Sequence, residues 1–382
     1  MTPFHIATDI YHGENALDRL LRLDATRVFL VADPFVVTSG LIAHVTDRLS
    51  AASIPFDLFS EIVPDPPVET VAAGVKALLA SGAPAIVAIG GGSALDTAKL
   101  IREFAARMDA SLPRPRLVAI PTTSGTGSEV TSVAVLTDAA RQVKIPISSD
   151  SLLPDEAILD VELVKTVPPP LVADTGMDVF THAVEACVSL RYSDFSAAFA
   201  AKSIEIVGAY LLRSYLDASD LHARAKMHSA SCLAGLAFNA SSLGLNHAVS
   251  HALGARFHIP HGRANAIALP RVVEYNSGIG PHSRSRADYD HTVRCYATIA
   301  RILGLQNLNV ITTVRALVNW IEFMMKEMDM PQTVSQAGVC TRDEYEAAVP
   351  GLVQAALADS CLSGNPKTPT PDDVAALFRS LW

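Results

Sequence analysis

Apolar residues recur along this chain in two rhythms. Up to about residue 165, short β-rich runs alternate with stretches spaced at the helical period. The runs at 27–32, 56–59, 85–89 and 117–120 predict strands. The stretches at 41–52, 68–80 and 94–106 predict helices, the second opening on Pro66-Pro67, where a missing N–H costs nothing. Strands alternating with helices imply a mainly parallel sheet covered on both faces. Beyond Pro168-Pro169-Pro170 the strand signals fade. Ala- and Leu-rich segments of helical period occupy about 170–190, 194–216, 221–256, 287–304 and 309–328. The proline triplet predicts a boundary between an α/β domain, 1–168, and an all-helical domain, 169–382.

Composition excludes several classes. With 49% hydrophobic and 18% charged residues the chain can bury a core, so disorder is excluded. A net charge of −9 is the wrong sign for a nucleic-acid surface. No unbroken apolar run reaches the ~20 residues of a membrane span, and the first residues show no basic start or apolar signal core. A cytoplasmic enzyme is expected, with neither nucleic acid nor membrane as partner. Five scattered cysteines without a C-x-x-C pair read as reduced thiols.

Candidate chemistry gathers in four places. Gly90-Gly91-Gly92-Ser93 follows a strand and opens a helix that carries Asp96 and Lys99. Bare N–H groups at such a turn can cradle a phosphate, although a plain tight turn has the same signature. Pro121-Thr122-Thr123-Ser124-Gly125-Thr126-Gly127-Ser128-Glu129 follows another strand and reads as a ligand loop or a polar surface loop. Asp33, just past a strand end, can bond a ribose hydroxyl and repel a 2′-phosphate, or simply form a turn before Pro34. Asp178 and His182 lie four apart, as do His247 and His251, and His261 follows in Pro260-His261-Gly262. One carboxylate and three imidazoles would make an open site for Fe²⁺ or Zn²⁺, although a single histidine on an apolar helix is usually a satisfied core residue.

Taken together, these segments resemble the iron-dependent (group III) alcohol dehydrogenases. The likeness runs in order through Gly90-Gly-Gly-Ser-x-x-Asp96-x-x-Lys99, Pro121-Thr-Thr-Ser-Gly-Thr-Gly-Ser-Glu129, Thr175-Gly-Met-Asp178-x-x-x-His182-Ala-x-Glu185, Gly244-x-x-His247-x-x-x-His251, Pro260-His261-Gly262 and Gly364-Asn365-Pro366. Around Lys226-Met227-His228 and Asn246-His247 the wording is most similar to the family branches of propanediol- and ethanolamine-utilisation microcompartments.

The resemblance implies the dehydroquinate synthase-like fold, with an NAD-binding α/β domain followed by an all-α metal-binding domain. It implies Asp178, His182, His247 and His261 as ligands of Fe²⁺, with Zn²⁺ an alternative. NAD(H) would rest on Asp33, Gly91, Gly92, Ser93, Asp96, Thr122, Thr123, Thr126 and Lys144. His251 would be a proton relay or a pocket-shaping residue, and Val133, Phe238 and Cys361 would line a pocket for a short aldehyde or primary alcohol. A homodimer, with or without association with microcompartment enzymes, completes the expectation. A dehydroquinate synthase-type lyase, a metal-free reductase and a scaffolding role in a microcompartment without turnover are the competing readings.

Overall fold

The computed structural model describes residues 4–63, 66–109, 113–138, 143–279, 290–306 and 308–382, without the side chains of 138, 143, 144 and 290. The chain falls into two compact units, Met1–Thr166 and Val167–Trp382.

The first unit contains β1 (Asp9–His12), β2 (Val28–Ala32), α1 (Pro34–Thr38), α2 (Ala43–Ala51), β3 (Phe56–Phe59), α3 (Val68–Ser81), β4 (Ala85–Gly90), α4 (Gly92–Met108), β5 (Arg116–Pro121), β6 (Val133–Asp138), β7 (Val143–Ser148) and β8 (Glu156–Leu159). Six strands pair in parallel in the order β1-β8-β5-β4-β2-β3, and β6-β7 form a separate antiparallel ribbon. The solid apolar runs are explained by burial on both faces. Phe29, Val31, Ile86 and Ala88 face a core shared with α3 and α4, whereas Val28, Leu30, Val87 and Ile89 face one shared with Leu17, Val36, Val45 and Leu49. The N-terminal segment enters the sheet as the edge strand β1, as a strand start there implies, whereas the ribbon has no counterpart in the apolar pattern. Asp9–His12 is too short and too exposed to carry a buried-strand signal.

The second unit contains α5 (Pro169–Val188), α6 (Asp194–Leu216), α7 (Leu221–Ser241), α8 (Leu245–Phe257), α9 (His261–Ser277), α10 (Asp290–Ile302), α11 (Val310–Glu327), α12 (Val334–Ala337), α13 (Arg342–Ala358) and α14 (Pro371–Ser380). One apolar core, which includes Met177, Phe180 and Val184 of α5 and Ile267 of α9, serves the whole unit. By length and composition α6 could cross a membrane, yet it packs on α5 and α7 and buries Ile204, Val207 and Leu211 there. The helical stretch expected over 221–256 is broken. Ser242 adopts φ +69°, and α8 restarts with its first N–H groups held from outside: Leu245 by Asn365 Oδ1 (3.1 Å) and Asn246 by Glu185 Oε1 (2.8 Å). These distant caps satisfy donors that a continuous helix would have paired internally, a choice that periodicity cannot register. The expected helix over 287–304 begins at Asp290 among the described residues; 287–289 lie outside them.

Candidate active site

In the first unit, parallel register sets three carboxyl ends side by side: Ala32 opposite Ile89, and Gly90 opposite Pro121. Asp33, Gly91 and Thr122 are thus the first residues beyond three neighbouring strands, the position where open α/β sheets bind ligands. The Thr122 N–H donates to the Gly90 carbonyl at 3.0 Å. Gly91 precedes α4 and has no side chain with which to cap it, so the first N–H groups of α4 and Ser93 are presented to an anion. A Cβ on Gly92 would come within 2.8 Å of Thr126 Cγ2, so the turn and the hydroxyl-rich loop fit together only with glycine there. Thr123 lies in ordinary contact with Gly91, its Cγ2 3.8 Å from where a Cβ would stand. Asp33 caps α1, Oδ1 accepting the Val36 N–H at 2.8 Å, while Oδ2 lies against Gly90. This cradle suits the diphosphate and ribose of a dinucleotide.

Asp96 is engaged within the unit. Oδ1 accepts the Ser128 hydroxyl (2.6 Å) and Oδ2 accepts the Val135 N–H (2.9 Å), tying α4 to the loop and to β6. Fully buried Lys99 extends the tie to Thr131 Oγ1 (3.2 Å) and the Val133 carbonyl (2.9 Å). Burial pushes Lys99 down to about 8 and Glu129 up to about 7, and it raises Asp96 as well. Lys144 lies on β7 opposite Thr137, its side chain outside the described set.

In the second unit four side chains converge. Asp178 and His182 stand one turn apart on α5, His247 on the first turn of α8, and His261 opens α9. Asp178 Oδ1 lies 3.8 Å from His182 Nε2, 3.8 Å from His247 Nε2 and 3.6 Å from His261 Nε2. All four ligand atoms lie within 4.8 Å of one another. One carboxylate oxygen and three imidazoles fit a divalent transition metal with room for a further ligand. His261 is the most open of the four, its side chain 44% exposed.

Neighbouring groups hold this geometry. Glu185 hydrogen-bonds His247 Nδ1, which leaves Nε2 facing Asp178. Burial pushes Glu185 up to about 8; burial and the neighbouring imidazoles push His247 well below its usual range. Asn265, one turn beyond His261, donates to Asp178 Oδ1 at 2.6 Å, and its amide nitrogen is 3.2 Å from both His247 Nε2 and His261 Nε2. Arg263 forks onto Asp174 (3.1 and 3.0 Å), pinning α9 to α5. Of the expected pocket residues, Phe238 stacks on His182 with ring centroids 4.5 Å apart. Cys361 clusters with His251 and Asp359, and Val133 belongs to the first unit.

Residues 7–161 match the family described as iron-containing alcohol dehydrogenase, and residues 172–382 match the C-terminal part of the Fe-containing alcohol dehydrogenase family. The chain belongs to the iron-containing alcohol dehydrogenase family. It is 39% identical to 1-propanol dehydrogenase PduQ of Salmonella typhimurium, with 100% of both chains covered. It is 34% identical to the NADPH-dependent butanol dehydrogenase of Clostridium saccharobutylicum, covering 100% of this chain and 98% of that one. The solved structure of the iron-containing alcohol dehydrogenase from Thermococcus thioreducens matches with a TM-score of 0.88 at 31% identity, covering 99% of each chain. Alcohol–aldehyde interconversion is the chemistry of this dehydrogenase, and the family implies NAD(H) and iron. Membership favours this chemistry over the lyase alternative.

Sequence reasoning left several neighbours of the dehydrogenase centre without a role. Glu185 follows His182 by three and Asn265 follows His261 by four, so helical spacing offered a signal for both. Nothing in the local pattern pointed to Asp359, which hydrogen-bonds His251 from 108 residues away.

Proposed function

We propose that the chain reduces short aliphatic aldehydes such as propanal and acetaldehyde, and oxidises the matching primary alcohols, with NAD(H) and Fe²⁺. The observation that carries this reading is Asp178 Oδ1 facing three imidazole Nε2 atoms from three helices. Asp178, His182, His247 and His261 would hold the metal, and a divalent ion there supplies Lewis-acid polarisation of a carbonyl oxygen. Zn²⁺ suits the same donors, but the family favours iron. Gly91, Gly92, Ser93, Thr122, Thr123 and Thr126 would bind and orient the dinucleotide, which supplies the hydride. Lys144 would join them at the ribose on the nicotinamide side. Asp96 would act on that site through Ser128, whose hydroxyl it holds. The carboxylate of Asp33 would disfavour a 2′-phosphate and so favour NAD over NADP.

Phe238 and Cys361 present an aromatic face and a thiol that burial holds neutral, which suits a short apolar substrate. His251, 39% exposed at its side chain, would pass a proton between substrate oxygen and solvent. Family membership supports a cytoplasmic homodimer, and the resemblance around Lys226-Met227-His228 supports association with microcompartment enzymes; size-exclusion and cell fractionation would test both.

The deciding assay is NADH oxidation with propanal or acetaldehyde, using anaerobically purified protein with and without Fe²⁺, beside His261→Ala. Iron-dependent turnover lost in the variant supports both substrate class and ligands. Absence of turnover in every metal state, with NADH still bound, would sink the short-aldehyde reading.

A further inference from the structure

We propose that Asp359 is a positioning residue for His251, fixing the tautomer and orientation of its imidazole beside the metal ligands. This deepens the functional reading above and rests on its assignment of His251. His251 Nδ1 lies 2.8 Å from Asp359 Oδ2. An ionised carboxylate only accepts, so it selects the tautomer with its proton on Nδ1 and leaves Nε2 as the one ring nitrogen open to a substrate hydroxyl or water. The ring held this way stacks on His261, centroids 5.3 Å apart and planes 19° apart, and stands edge-on to His247. A half-exposed histidine on a helix has many rotamers; a fixed partner removes that freedom before substrate arrives.

The carboxylate is itself anchored. Asp359 closes α13 and caps the short turn Ser360–Gly364, Oδ1 accepting the Cys361 N–H at 2.8 Å. One oxygen therefore takes the Cys361 N–H and the other faces His251, and the Cys361 thiol also hydrogen-bonds the carboxylate. The junction between α13 and the turn thereby becomes the rear support of a side chain on α8. A purely structural cap would need only Oδ1. With the side chain 17% exposed, Oδ2 faces an imidazole at hydrogen-bond distance.

Asp359→Asn separates the two duties. Asparagine keeps a carbonyl oxygen for the Cys361 N–H but turns an NH₂ toward His251, favouring the opposite tautomer. Asp359→Ser is the second variant, since serine caps the turn yet is too short to reach the ring. Both would be prepared in wild-type and His251→Ala backgrounds, with iron content and NADH dissociation constant measured alongside kcat and KM. We expect kcat to fall about 10- to 100-fold in either variant, a milder loss than the ~10⁴ known when a carboxylate partner of a catalytic histidine is neutralised. Iron content and NADH affinity stay at wild-type levels, and adding either substitution to His251→Ala costs less than about twofold, because coupled residues lose their effect together. The ¹⁵N shifts of His251 in zinc-loaded protein should move the proton from Nδ1 to Nε2 in the asparagine variant. Equal losses in both backgrounds, or loss of iron, would overturn the proposal by showing that Asp359 acts elsewhere. A wild-type rate in Asp359→Asn would overturn it as well. Should His251→Ala itself retain full kcat, the relay reading falls first and the proposal falls with it, a result distinct from the others.

Discussion

Glu185 on α5 reaches Nδ1 of His247 on α8 across 62 residues of sequence, and its other oxygen takes the Asn246 N–H at 2.8 Å. One carboxylate thus starts α8 and sets the direction of the imidazole on its first turn. Exchanging it for an amide leaves one acceptor oxygen where two are used and turns an NH₂ toward Asn246 or His247, which weakens the hold that keeps Nε2 turned toward Asp178. Glu185→Gln should weaken iron binding by ~10- to 100-fold, the range typical of such outer partners. Iron retained after dialysis against graded chelator would report this; retention equal to wild type would mean that packing alone orients His247.

The approach of α9 to α5 depends on a missing methyl. A Cβ on Gly262 would stand 2.0 Å from the Asp174 carbonyl oxygen, a backbone atom that cannot swing aside. Gly262→Ala should cost ~1–3 kcal/mol of stability and displace His261, lowering iron content. Gly351→Ala on α13 serves as the control, since nothing lies within 4 Å of its added Cβ. Thermal melts of the two variants should differ in sign or clearly in size.

Burial in the first unit leaves a readable pH signature. Glu129 is pushed up to about 7 from an ordinary 4.5, with Lys99 pulling the other way. Between those values the folded state holds a proton that the unfolded state has released. Its contribution to stability is full below 4.5 and is lost as pH rises through about 7. Glu129→Gln should flatten the fall in stability across that window. Urea midpoints at pH 5 and pH 7.5 decide it, parallel slopes in both proteins counting against the shift.

Asp33 joins a cap to a charge. Asparagine keeps the bond to the Val36 N–H but removes the charge that repels a 2′-phosphate. Asp33→Asn should leave the melting temperature near wild type while raising the ratio of NADPH to NADH efficiency by ~10-fold, the size of a 1.4 kcal/mol change. An unchanged ratio would move the cofactor preference to other residues.

Much of this was visible in one dimension. Solid apolar runs such as 27–32 and 85–89 marked strands because both sheet faces are covered, and Asp178 with His182 shared a helix face because 3.6 residues make a turn. Less was visible where local pattern is weak. The break at Ser242 and the place of β1 beside β8 are settled by partners far away in the chain, so no periodicity announced them.

The sequence by itself determined the donor types, their order and their spacing within each helix, since these follow from residue chemistry and helical geometry. Only the tertiary structure decided that α5, α8 and α9 bring Asp178, His182, His247 and His261 within 4.8 Å. It alone paired Glu185 with His247, Asn265 with Asp178 and Asp359 with His251. The reason is physical: a hydrogen bond between distant segments is selected by how buried helices pack and which polar groups they must satisfy, and neither is encoded in the neighbours of a residue along the chain.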